Sequence, residues 1–203
     1  GVPGLVATHA ISPGERSVVF LREATGAGQI DLWLRDLARG TETRFTSDSS
    51  VNFAPFWSPQ GDRIVFSSNR GGGVYNLFQK MASGSSQDEK LLTSGNGKFP
   101  NQWSRDGRFI VYVERDPKNK YDLWVRPLEG SDRDRKPIPF LQTEFNELMD
   151  QLSPDSHWMA YTSDQAARRE VYVRPVPPAD GQWTSSLAGG EEPGGSRGGT
   201  EGG

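Results

Sequence analysis

Four serines, Ser12, Ser58, Ser104 and Ser153, stand 46, 46 and 49 residues apart, and the wording around them recurs. Six to eight residues after each comes an apolar triplet ending in a ring: Val18-Val19-Phe20, Ile64-Val65-Phe66, Ile110-Val111-Tyr112 and Met159-Ala160-Tyr161. Self-similarity at this interval marks a chain built from stacked supersecondary units, each unable to bury its own faces alone. Short apolar runs bounded by turn residues read as strands buried on both faces.

The remaining text of each copy supplies more strands. Between serine and triplet lies a turn. In "SPQG" Pro59 presets the first corner and Gly61 can take the positive φ that closes a hairpin. "SRDG" keeps Gly107, "SPDS" puts Ser156 where glycine is expected, and "SPGE" moves its glycine one place early, to Gly14. Later in each copy a ring is followed two residues on by a base: Trp33 and Arg35, Phe78 and Lys80, Trp124 and Arg126, Tyr172 and Arg174. Period-2 spacing puts ring and base on one face, so the basic stem is expected to cover the ring. Turns at Gly40, Gly84, Gly130 and Gly181 lead into short outer strands. A strand ending in a bulky residue (Trp57, Trp103, Leu152) precedes three of the serines. Four short strands per repeat predict an all-β protein of propeller type, with four recognisable blades of four antiparallel strands. "TEFNELMDQL" from Thr143 comes closest to a helical period, but alignment with "SVNFAPFW" makes it an innermost strand. Blade boundaries fall at about 5–50, 51–96, 97–145 and 146–187.

The stretch "FAPFWSPQGDRIVFSSNRGGGVYNLFQKMASG" resembles the TolB-type, WD-repeat-like propeller repeat, with its W-S-P-D-G turn, I-x-F strand and aromatic strand ending in a glycine turn. The resemblance runs from about Leu5 to Leu187. "YDLWVRPLEG", "KPIPFLQTEFNE" and "EVYVRPVPP" are similar to propellers attached C-terminally to bacterial serine/threonine protein kinases of acidobacterial type. That resemblance implies a propeller of six or more blades in a larger signalling protein, working as a sensor or binding module. A membrane-spanning linker is frequent in that family, so an extracytoplasmic location is implied. The same repeat also fronts prolyl-oligopeptidase-type serine hydrolases, where the propeller restricts access to an active site. The chain has no H-R-D, D-F-G, A-P-E or G-x-S-x-G motif, so kinase or peptidase activity is expected only in a covalently attached domain.

Composition narrows the partners. A net charge of -3 gives no basic field for nucleic acid, and no apolar run is long enough to insert into a membrane. There are no cysteines, and His9 and His157 lack partners at metal-ligand spacing, so neither metal nor cofactor is expected. Asp106, Asp116, Asp155 and Asp164 mostly recur at equivalent places, which assigns them to turns instead of one active site. The residue five before each Trp57-equivalent is polar and different each time: Asn52, Lys98 and Glu147. These three are the candidate binding residues, placed at the channel mouth, where a protein, peptide or small ligand would be met on loops. From residue 188 the chain is a glycine-rich tail that cannot enter a core. It is either a natural flexible linker or the same gene read in a shifted frame.

Overall fold

A computed structural model describes residues 9–23, 28–116, 120–166, 168–176 and the strand 183–184. The Gly181 turn and the tail from residue 188 lie outside them. The described chain is all-β, in four antiparallel four-stranded sheets. The first sheet runs β1 (His9–Ile11), β2 (Ser17–Glu23), β3 (Ile30–Asp36), β4 (Glu42–Arg44). The second runs β5 (Asn52–Trp57), β6 (Arg63–Ser68), β7 (Asn76–Met81), β8 (Glu89–Leu92). The third holds β9 (Gly97–Trp103), β10 (Phe109–Asp116), β11 (Lys120–Pro127) and β12 (Ile138–Leu141). The fourth holds β13 (Glu147–Leu152), β14 (Trp158–Ser163), β15 (Glu170–Pro175) and β16 (Trp183–Thr184). The stretch with the helical look is therefore a loop followed by a strand, β13. The chain divides into two compact units, Gly1–Trp103 and Ser104–Gly203.

The recurring serine has a backbone task. The Oγ atoms of Ser12, Ser58, Ser104 and Ser153 each accept a hydrogen bond from the amide five residues on, all at 3.0 Å. Each serine's own N–H donates to the carbonyl of that same residue, closing the hairpin. A hydroxyl is the smallest group that satisfies this amide from inside the turn. Aspartates complete it: Asp106 accepts from the Ser104 hydroxyl at 2.7 Å. Asp155 takes the Ser153 hydroxyl and the His157 N–H, and the hydroxyl bond above all pulls its carboxyl down to about 2. Asp116's side chain lies outside the described set.

The positive φ always falls three residues after the serine: Glu15 (53°), Gly61 (72°), Gly107 (80°) and Ser156 (60°). Gly14 is therefore a glycine in a place that does not need one, while Glu15 adopts the left-handed conformation with a Cβ. That conformation costs a non-glycine residue about 1 kcal/mol. Glu15→Gly is expected to raise stability by about that amount, seen as a higher thermal midpoint, and Gly14→Ala is expected to be tolerated.

The core of the first unit sits between its two complete sheets. Val19, Leu32 and Phe45 from the first meet Ile64, Phe66 and Phe78 from the second, all buried. Phe45 stands edge-on to Phe66 (6.3 Å, 74°), and Phe66 stacks on Phe78 (6.2 Å, 24°). Trp57 lies across the junction, its Nε1–H donating to the Ala10 carbonyl at 3.0 Å. The second unit repeats this joint: Phe140 is edge-on to Tyr161 (6.3 Å, 86°), which stacks on Tyr172 (5.8 Å, 27°). Trp158 does not share the role of Trp57, being 41% exposed.

In the first two sheets the bases over the second- and third-strand rings are not those expected from spacing. Lys80 reaches back to the first sheet, donating to the Phe45 carbonyl at 2.9 Å, and Arg35 turns outward to Glu42. Arg22 instead lies 4.2 Å from the centre of the Trp33 ring, and Arg70 lies 4.5 Å from that of Phe78. Phe20 pairs with Trp33 and Phe66 with Phe78 across the sheet, so a base beyond the second-strand ring can reach both members of the pair.

Candidate functional site: the loops between sheets

Each outer strand hands over to the next innermost strand through an eight-residue stretch: Phe45–Asn52, Leu91–Lys98 and Phe140–Glu147. Asn52, Lys98 and Glu147 end these stretches, at or next to the start of β5, β9 and β13. All three side chains are buried, at 0%, 1% and 1% exposure. Each sets a polar atom against its own loop, and Asn52 Nδ2 donates in addition to the Ile30 carbonyl at 3.2 Å.

The arrangement is the same three times. Asn52 Nδ2 donates to Asp48 Oδ1 at 2.9 Å. Lys98 Nζ donates to Ser94 Oγ, and also to the Asn96 carbonyl at 2.8 Å. Thr143 Oγ1 donates to Glu147 Oε1 at 2.6 Å. In every case the partner lies four residues earlier. That partner also accepts the amide two residues after itself: Ser50 to Asp48 (3.2 Å), Asn96 to Ser94 (3.2 Å) and Phe145 to Thr143 (3.0 Å). Such side-chain turns let Asp, Ser and Thr take the place of a backbone acceptor. The loop is thus closed by a clasp whose halves sit at i and i+4.

A second tie recurs in two of the three loops. Asn69 Oδ1 accepts the Val51 N–H at 2.9 Å, and Asp164 Oδ1 accepts the Asn146 N–H at 2.9 Å. Arg70 adds to the first clasp, donating to Asn52 Oδ1 at 3.0 Å and pairing with Asp48 and Asp88. Sequence reasoning found the i+4 halves through their repeat position. It missed Asp48, Ser94, Thr143 and Asn69, although the spacings D-x-x-x-N, S-x-x-x-K and T-x-x-x-E were there to be read, and it assigned Asp164 to a turn instead of this tie.

Electrostatically the clasps differ. Glu147 is pushed up to about 7. Burial is the main cause; the hydrogen bonds of Thr143 and Ser163 work against it, and the charges of Asp122 and Asp164 add to the rise. Asp164 stays below the usual carboxylate range: burial raises it, but its bonds from Asn146 and the charge of Lys120 outweigh that.

Beside the first two clasps, within the first unit, three half-buried rings form a cluster. Phe53 and Phe99 follow Asn52 and Lys98 directly and stack at 5.6 Å, while Tyr75 stands edge-on to Phe53 at 4.6 Å. The Gly71-Gly72-Gly73 turn, which is exposed, leads into Tyr75. Among the described residues, no group of three or more His, Cys, Asp or Glu could hold a metal ion. Among the described residues no helix is long and apolar enough to cross a membrane.

Comparison with known proteins agrees with this architecture. The TolB protein of the Tol-Pal system from Wolinella succinogenes is 28% identical over 118 residues, 58% of this chain and 27% of that protein. The chain therefore spans about a quarter of that relative's length. The crystal structure of TolB from Acinetobacter baumannii superposes with a TM-score of 0.69 at 20% identity, covering 89% of this chain and 45% of that one. A structure from a study of two prolyl endopeptidases gives 0.61 at 15% identity, covering 89% and 29%. At these identities the structural likenesses speak to fold alone. The PD40 family, the TolB beta propeller domain, matches residues 1–191, and the chain belongs to that family.

Proposed function

We propose that this propeller domain is a non-catalytic recognition module of a larger bacterial signalling protein, acting outside the cytoplasm and binding a protein or peptide through the loops between its sheets. Asn52, Lys98 and Glu147 serve that role as the buried halves of the clasps that shape those loops. The observation that carries the reading is the ring cluster Phe53, Tyr75 and Phe99, seated beside two clasped loops and only half buried. Interface energy concentrates in aromatic anchors on pre-shaped backbone, where little ordering entropy remains to be lost on binding. The polar loop residues around the rings suit an extended peptide better than an apolar small molecule. The TolB relative's place in a Tol-Pal system supports a protein-recognition role.

The test is selection of random twelve-residue peptides displayed on phage against the isolated chain. Selected peptides are expected to lose about tenfold or more in affinity on Phe99→Ala or Phe53→Ala, equivalent to about 1.4 kcal/mol. Glu15→Gly, in a distant hairpin, is expected to leave them unchanged. Peptides indifferent to both ring substitutions would sink this reading. A gating role ahead of a peptidase would show instead as a hydrolase domain in the same reading frame.

A further inference from the structure

Of the three clasps, two carry titratable groups, Lys98 and Glu147, and only the third is an acid. Asn52 keeps one form at any ordinary pH. Glu147 is a carboxyl group, buried to 1%, whose Oε1 takes the Thr143 hydroxyl, with the Ser163 hydroxyl as its other hydrogen-bonding neighbour. The groups that face it come from each element around β13. From β11 come Asp122, itself 1% exposed, and Lys120, which acts on Asp164. From β14 and the residue after it come Tyr161, Ser163 and Asp164, and Arg174 of β15 lies beyond Tyr161. Two of these neighbours are acids, so an ionised Glu147 would be a buried negative charge beside others of its sign. A neutral Glu147 suffers neither that repulsion nor the desolvation of a charge.

We propose that the loop Gln142–Asn146 is a proton-controlled element: it is held closed while Glu147 is neutral and released when Glu147 ionises and turns to water. Release breaks the Thr143–Glu147 bond, and with it the turn that holds the Phe145 N–H. Burial of Glu147 sets the midpoint near neutral pH, at about 7. The loop at Asn52 has the same geometry without the proton, so it serves as an internal control. The inference rests on the binding reading only in supposing that these loops form the recognition surface. The closure itself needs no ligand.

The test is amide hydrogen exchange on the full chain between pH 5.5 and 8.5, corrected for intrinsic exchange. Protection of Phe145 and Asn146 is expected to fall about tenfold or more across pH 7, while Ser50 and Val51 keep theirs. Glu147→Gln is expected to make the 145–146 amides as pH-independent as the control pair. Asp122→Asn, which removes one neighbouring charge, is expected to move the wild-type transition to lower pH. The proposal is overturned if both loops lose protection together, or if Glu147→Gln keeps the pH-dependent loss. Failure of the peptide selection would leave these exchange results untouched, so the two readings fall separately.

Discussion

Phe66→Ala is expected to cost about 4 kcal/mol, the range seen when a large ring is removed from a closed core. Phe66 is 0% exposed and holds the joint between two sheets, with Phe45 edge-on to it and Phe78 stacked on it. Its loss removes the ring's own transfer energy and leaves a cavity that neighbours on two different sheets cannot collapse into together. Urea unfolding should show the midpoint move with little change in slope. Thermal unfolding should drop by roughly 8–16 °C for a chain of this size. Phe20→Ala makes the contrast. It occupies the same repeat position in the first sheet but is only half-buried, and its loss should cost about 1–2 kcal/mol. Equal costs at the two positions would mean that the joint does not bear on Phe66 as described.

The second large effect depends on pH. Glu147 in the folded chain titrates at about 7, against a reference of 4.5. Below pH 4.5 the folded and unfolded chains both hold this proton, and the group is neutral toward stability. Between 4.5 and 7 the unfolded chain gives it up first, so stability falls as pH rises. Above 7 the loss is complete, at about 3 kcal/mol. Glu147→Gln keeps an acceptor for the Thr143 hydroxyl and carries no charge, so it should match the wild type near pH 4.5 and exceed it by about 3 kcal/mol at pH 8. On melting curves that is a gap of roughly 6–12 °C, opening with pH. A constant gap between pH 4.5 and 8 would show that Glu147 does not titrate in this window.

How far the sequence led can be judged residue by residue. The serine interval and the apolar triplets gave the four sheets, because hairpin closure and strand burial are local demands that each copy must meet in its own text. The strand at Glu147–Leu152 was legible only by alignment to its sister strands, since its own composition leans toward helix. The left-handed residue of the first turn, Glu15, could not be read from the position of Gly14. The position of the turn is set by the serine's bond to the residue five further on, and glycine merely eases it, so a displaced glycine does not displace the turn. The covering bases of the first two sheets were misassigned because alternation fixes which face a side chain occupies, not which neighbour it reaches. Arg22 and Arg70 reach their rings from the second strand and the loop after it. The three polar positions Asn52, Lys98 and Glu147 were found, but their burial was not foreseen. Polarity beside a loop suggests solvent, and only the partners four residues upstream reveal that each is used inward.

The clasp also bears on how such an array can diverge. Its backbone task is met equally by an amide, an ammonium group and a carboxyl group, each reaching one oxygen-bearing side chain at the same separation. The fold therefore does not prescribe the sign of charge in this slot. Neighbouring sheets in one chain already carry neutral, positive and acidic versions of it. An exchange there rewrites the local potential under a surface loop while leaving every strand in register, so relatives with superimposable backbones can present unlike fields to what they meet.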